Sequence, residues 1–169
     1  WGIITPYIST TTIAGPYVVP TFKFDTTVIF TNKPPTTPLR GAGRPQAVFA
    51  MERTLDLVAE MLNLNKAEIR RRNLIPANAM PYQMGLIFRD GAPVIYDSGD
   101  YPVCQAMALE GCDYSGFEMR QKAARAEGRY IGIGIANAVE GTGLGPFEGA
   151  TIKVMPSGRV ALKTGAAPQ

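Results

Sequence analysis

Leu39-Arg40-Gly41-Ala42-Gly43-Arg44-Pro45-Gln46-Ala47 decides how the rest of the chain is read. Two glycines stand two residues apart between two arginines, after a Pro/Thr-rich turn and ahead of a helical pattern. Glycine lets backbone approach a neighbour closely because it carries no Cβ. A helix N-terminus offers unpaired amides and a partial positive charge. The stretch is therefore either a loop that presents N–H groups and cations to an oxygen-rich anionic ligand, or a tight turn with exposed arginines. Downstream, Val48, Met51, Leu55, Val58 and Leu62 recur at three- and four-residue steps. That spacing predicts an amphipathic helix over 45–63 with Pro45 in its first turn and Leu55 buried at mid-stripe. Glu52, Arg53, Asp56 and Glu60 fall off the stripe.

On the near side of the loop, residues 1–16 are rich in Thr, Gly, Ile and Pro and read as extended chain. Val18 to Thr31 carries strand chemistry, with Val19, Phe22, Phe24, Val28 and Phe30 among polar residues, as two strands or one bulged strand. On the far side, Asn65 with Glu68 predicts a capped short helix ending in Arg70-Arg71-Arg72, cations that suit the negative end of its dipole. Residues 76–100 are broken by proline and glycine into loop and a small hairpin. Asp100 with Pro102 predicts a helix to Gly111, and Ser115 with Glu118 another that stops at Gly128. From about residue 129 strands prevail: Ile131 to Val139, then a hairpin around Pro156-Ser157-Gly158. The fold class expected is α+β, divided into 1–128 and 129–169.

Composition narrows the chemistry. The 169 residues hold 17 basic and 14 acidic side chains, no histidine and two cysteines. The net charge of +3 is too mild and scattered for nucleic acid. Without histidine the commonest general base and metal ligand is missing, so a hydrolytic triad or a zinc site within these residues is improbable. Cys104 and Cys112 lie at the two ends of one short helix and are expected as free thiols. No apolar run is long enough to span a membrane and no secretory signal is visible. Starting at Trp1 and stopping after a strand-like run, the sequence is expected to be an excerpt of a longer polypeptide.

The Arg40 loop resembles the Arg-Gly-Xaa-Gly-Xaa-Pro-Gln/Glu loop of the molybdenum hydroxylases, the xanthine dehydrogenase/aldehyde oxidase family that includes large chains of the aerobic carbon monoxide dehydrogenase type. Thr31-Asn32-Lys33 upstream, and Glu68-Ile69-Arg70-Arg71-Arg72-Asn73-Leu74-Ile75, Tyr96-Asp97-Ser98-Gly99-Asp100-Tyr101, Gly132-Ile133-Gly134-Ile135-Ala136 and Glu148-Gly149-Ala150-Thr151-Ile152 downstream, are similar to family segments in the same order. The resemblance implies that 1–128 is the C-terminal part of one molybdopterin-binding subdomain and that 129–169 opens a second. It implies hydroxylation of an aldehyde or aromatic N-heterocycle with oxygen from water. It also implies a molybdenum–molybdopterin cofactor, in bacteria the cytosine dinucleotide form. Partner subunits with [2Fe-2S] clusters and FAD, a small-molecule substrate and a cytoplasmic location go with it.

Residue by residue, Arg40 and Gly41 are implied to bind the cofactor and Ala42 to line the substrate pocket. Xanthine dehydrogenases carry an aromatic ring where Ala42 stands, and carbon monoxide dehydrogenases a copper-binding cysteine where Gly41 stands. Xanthine and CO are thus poor substrates for this loop. Asn137 and Glu140 border the implied channel, with a solvated loop carboxylate as the equal alternative for Glu140. The glycines 141–145 fit neither a dinucleotide nor a Walker register. No catalytic residue or metal ligand of the family falls in this stretch, since its glutamate and its Gly-Gln-Gly loop lie beyond Gln169. The alternatives are a non-catalytic structural or interaction domain, or a carbon monoxide dehydrogenase large chain.

Overall fold

The computed structural model describes residues 2–34, 39, 41–88, 90–141 and 149–165. Arg40, the glycine loop at 142–148 and the last residues 166–169 lie outside them. The described residues form an α+β chain of α1 (Ile4–Thr12), α2 (Arg44–Met61), α3 (Lys66–Asn73), β1 (Tyr82–Ile87), β2 (Pro93–Tyr96), α4 (Tyr101–Gly111), α5 (Phe117–Ala126), β3 (Ala150–Val154) and β4 (Val160–Thr164). A single 3₁₀ turn, Ala77–Ala79, precedes β1. β1 and β2 form one antiparallel hairpin, β3 and β4 another.

The amino-terminal stretch, expected to be extended, is a helix. Its hydroxyl residues, which would otherwise compete with helical bonding, fold back onto carbonyls one turn earlier. Thr10 Oγ1 donates to Pro6 O at 2.9 Å, Thr11 Oγ1 to Tyr7 O at 3.1 Å and Thr12 Oγ1 to Ile8 O at 2.7 Å. Ile8 and Thr11 are buried, and α1 packs on α2, a tertiary gain that local propensity does not register.

The strand expected over 18–31 does not form. Tyr17 makes one isolated bridge to Leu74, and beyond it the described chain to residue 31 has no ladder partner. Ile29 is 73% exposed and Phe30 101%. Residues 131–139 likewise form no ladder. β-branched sequence fits a pleated surface, but a strand needs a neighbour's hydrogen bonds to exist.

α2 appears as expected, yet its phase is rotated. Ala47, Glu52 and Ala59 are its buried residues, Leu55 is half-buried, and Leu62 is 60% exposed. The small residues let α2 approach its neighbours, and the buried carboxylate is paired. Asn65 caps α3, its Oδ1 accepting from Ala67 N–H at 2.8 Å and Glu68 N–H at 3.2 Å. Glu68 itself pairs with Arg71 and Arg72. Asp100 Oδ1 accepts from Val103 N–H at 3.0 Å and caps α4. The box expected at Ser115 is absent: Gly116 is the N-cap of α5 without a side-chain bond, and Asp113 Oδ1 takes the Gly116 N–H at 3.2 Å instead. Both cysteines are free and exposed.

The chain divides into two compact units, 1–139 and 140–169. The shift in composition near 129 thus falls inside the first unit, which holds on to 131–139 through Gln121 Nε2, donating to Ile131 O at 3.0 Å, and through Asn137. The apolar centre of the first unit gathers Ala14, Ile75 and Met84, with Tyr82, Tyr96 and Tyr101 against it. The second unit is the β3–β4 hairpin, in perfect register from Ala150↔Thr164 to Val154↔Val160.

Candidate functional site

The Gly41–Gly43 loop is built from alternating peptide planes. Ala42 N–H donates to Leu39 O at 2.8 Å and Arg44 N–H to Gly41 O at 2.9 Å. Among the described residues, the N–H groups of Gly41, Gly43 and Gln46 have no protein acceptor. Pro45, at the start of α2, has no N–H to offer. Gly41 has φ +92° and Gly43, the N-cap of α2, φ +90°. Such values favour glycine, since a Cβ clashes there.

The two glycines serve different ends. A Cβ on Gly41 would meet only Pro45, at 3.6 Å, so that face is open. A Cβ on Gly43 would collide with Thr5 O and with the backbone of Ser9. Gly43 is there so that α1 can lie on the loop. The result, among the described residues, is a set of amides without a protein acceptor beside the positive end of an 18-residue helix. It suits anionic or strongly polarised oxygen.

The structure does not gather all the implied residues. Arg40 lies outside the described residues. Ala42 is half-buried in the loop, and Glu140 is exposed and belongs to the second unit. Asn137 is already engaged: its Nδ2 donates to Gln105 Oε1 at 2.8 Å and to Tyr17 Oη at 3.1 Å. Two grooves open elsewhere. One of about 450 Å³ lies among Asn65, Glu68, Arg71, Gln105 and Phe117, and one of about 600 Å³ among Val18, Arg72, Asn73, Pro76 and Pro102. Neither is lined by Gly41, Ala42 or Asn137.

Behind the loop runs a buried polar network that the sequence reading missed. Arg70, taken as a dipole charge, is fully buried. Its Nε donates to Glu52 Oε2 at 2.6 Å, its Nη1 to Lys66 O at 2.8 Å, and its Nη2 to Glu52 O and Asp56 Oδ1, both at 3.0 Å. Tyr17 Oη donates to the other Glu52 oxygen at 2.6 Å. Gln105 Nε2 closes the set on Ala67 O at 2.9 Å. Burial pushes the Tyr17 hydroxyl well above its ordinary range, and the Glu52 carboxylate adds to it, so Tyr17 remains a donor. Burial acts against ionised Asp56, but Arg70 outweighs it and holds that carboxyl below the usual range. The signal available in sequence was the pair Ala47 and Ala59, small residues that mark a close-packed face next to Glu52.

Residues 1–74, which hold the loop and most of this network, match the molybdopterin cofactor-binding domain. The comparisons place the chain with the molybdopterin-binding subunits of the molybdenum hydroxylases. It is 39% identical over 154 residues to 6-hydroxypseudooxynicotine dehydrogenase complex subunit gamma of Paenarthrobacter nicotinovorans, covering 90% of this chain and 19% of that protein. It is 31% identical over 172 residues to the carbon monoxide dehydrogenase large chain of Hydrogenophaga pseudoflava, covering 92% of this chain and 21% of that one. Among solved structures, quinoline 2-oxidoreductase from Pseudomonas putida 86 matches with a TM-score of 0.78 and 29% identity, over 99% of this chain and 22% of that one. The chain spans about a fifth of the length of these relatives.

Proposed function

We propose that this chain forms one wall of the cofactor and substrate site in the large subunit of a molybdenum hydroxylase. That enzyme is an oxidoreductase that hydroxylates an aldehyde or an aromatic N-heterocycle with oxygen from water. The observation that carries the reading is the Gly41–Gly43 loop, whose amides lack an acceptor among the described residues, within a segment that matches the molybdopterin cofactor-binding domain. The cofactor is molybdenum–molybdopterin in its cytosine dinucleotide form. When bound, it supplies the redox chemistry. The chain supplies position and electrostatics. Arg40 and Gly41 would hold the bound group, and the N-terminus of α2 would favour its negative charge.

Ala42 leaves a methyl-sized wall where a substrate ring can sit. Asn137, fixed from behind by Tyr17 and Gln105, and Glu140 border the channel. Gly41 offers no side-chain ligand to copper, so CO is not the substrate. One molybdopterin-binding subdomain ends at 128 and the next begins at 129. An iron–sulfur subunit with [2Fe-2S] clusters and a FAD subunit carry the electrons away in the cytoplasm.

The test is metal analysis and a substrate panel on the intact complex, before and after Ala42→Phe. Molybdenum is expected in stoichiometric amount. Filling the pocket is expected to change kcat/KM for the native substrate by more than about tenfold, about 1.4 kcal/mol in the barrier. Robust CO oxidation by the unmodified complex would refute the copper argument. An unchanged panel in Ala42→Phe would remove Ala42 from the pocket.

A further inference from the structure

Gly41 and Gly43 both have positive φ, and glycine accepts many other conformations, so the bonds around the loop decide which one it keeps. Two internal bonds exist, Ala42 N–H to Leu39 O and Arg44 N–H to Gly41 O. They form a relay. The peptide plane joining Gly43 to Arg44 aims the Arg44 N–H at Gly41 O, and so sets the plane joining Gly41 to Ala42. That second plane aims the Ala42 N–H at Leu39 O. Whatever fixes the Gly43–Arg44 plane fixes the relay.

That plane is held at its carbonyl end. Gly43 O accepts the first helical bond from Ala47 N–H at 3.1 Å. It also lies 2.9 Å from Ser9 Oγ, which is part-buried on α1. Ser9 Oγ is equally 2.9 Å from Thr5 O, so its one hydrogen is shared between a carbonyl of its own helix and a carbonyl of the loop. The approach is close because Gly43 has no Cβ to keep α1 away. Thr10, Thr11 and Thr12 bond to carbonyls of α1 itself, whereas Ser9 also reaches across to the loop.

We infer that Ser9 is a positioning residue for the cofactor-facing loop: its hydroxyl holds the Gly43 carbonyl from α1, and through the relay it steadies the peptide planes that flank the Gly41 and Gly43 N–H groups. The role rests on the proposed cofactor site only for its purpose, since the mechanical claim stands on the loop alone. Ser9→Ala removes the hydroxyl and leaves the fold of α1 intact, because alanine is the best helix former. Ser9→Thr keeps a hydroxyl able to reach the same carbonyls.

The experiment uses the intact complex, with wild type, Ser9→Ala, Ser9→Thr and Ser9→Cys. It reads amide hydrogen exchange in the peptide spanning 39–47, with the β1–β2 peptide as remote control, and molybdenum per large subunit. Losing one such bond is expected to speed loop exchange about two- to tenfold in Ser9→Ala, with the β1–β2 peptide unmoved. Molybdenum content is expected to fall alongside, and Ser9→Thr to restore both. Should Ser9→Ala not be recovered folded, Ser9→Cys, close in size and a weak donor, is expected to show the same loop loosening. Wild-type loop exchange in the recovered variant overturns the inference. Wild-type complex without molybdenum overturns the proposed function instead and leaves the exchange result to decide Ser9.

Discussion

Replacing Arg70 by methionine is the most informative perturbation of this chain, because methionine fills the space of the side chain's stem and removes only its charge and donors. Arg70 makes four hydrogen bonds, to both the carboxylate and the carbonyl of Glu52, to Asp56 and to Lys66 O. In Arg70→Met, Glu52 keeps a carboxylate whose side chain is 8% exposed and whose remaining partner is Tyr17. Breaking a buried pair by removing one partner is expected to destabilise by about 3–5 kcal/mol. With a urea m-value of about 2 kcal/mol per molar, the midpoint falls by about 1.5–2.5 M. Adding Glu52→Gln removes the stranded charge while leaving an acceptor for the Tyr17 hydroxyl. The double variant is therefore expected to be more stable than Arg70→Met alone, with a coupling of about 1–3 kcal/mol in the cycle.

The pH dependence follows from Asp56, whose folded pKa is depressed. Its contribution is complete above the ordinary carboxylate pKa and is lost as pH falls through the folded value. Arg70→Met removes the largest cause of the depression and leaves those of Lys66 and Arg53, so the variant is expected to lose less stability than wild type on acidification below about pH 4. Urea titrations of the four corners of the cycle at neutral and acidic pH give all these quantities. A double variant no more stable than Arg70→Met would refute the claim that the unpaired carboxylate is what the single replacement leaves behind.

Gly43→Ala is expected to destabilise by more than about 2 kcal/mol, since it adds a clash with the α1 backbone to the strain of a positive φ, while Gly41→Ala meets the strain alone and loses about 1 kcal/mol; paired thermal melts separate them, and equal losses would contradict the close approach of α1. Burial pushes the Tyr96 hydroxyl up to about 12, so from about pH 10 to 12 the unfolded chain releases a proton that the folded chain keeps, and stability falls as pH rises. Tyr96→Phe is expected to flatten that alkaline limb, which denaturation midpoints across the range would show. Asp100→Ala deletes the side-chain cap of α4 and is expected to lower stability by about 1 kcal/mol in urea titrations.

What was legible in the sequence were the features decided by local chemistry. Pro45 opening α2, Asn65 and Asp100 as caps, and Pro156-Ser157-Gly158 as a hairpin turn each state their conformation within a few residues. The glycine loop was legible too, although only coordinates show that Gly43 yields to α1 and Gly41 to open space. What was hidden depends on distant partners. Nothing near Thr10 to Thr12 announces a helix, because its stability comes from hydroxyls turned inward and from α2. Val28 to Phe30 and Ile131 to Val139 have the right side chains for strands, yet among the described residues no neighbour supplies the ladder. Arg70 and Glu52 looked like surface charges because charge says nothing of burial until its opposite is found 18 residues away.

Tyr17 also dates the order in which this chain can be completed as it is synthesised. Its partners Glu52 and Leu74 arrive early, so α1, α2 and α3 can close on one another once residue 74 is out. Asn137 lies 120 residues beyond Tyr17, and its bond must wait for all of β1, β2, α4 and α5. At about 5–20 residues per second, the interval between Leu74 and Asn137 is about 3–13 s. For that time the carboxylate acceptor of the Tyr17 hydroxyl has been synthesised and its amide donor has not. The bond from Asn137 is therefore the last that Tyr17 can gain as these residues are synthesised.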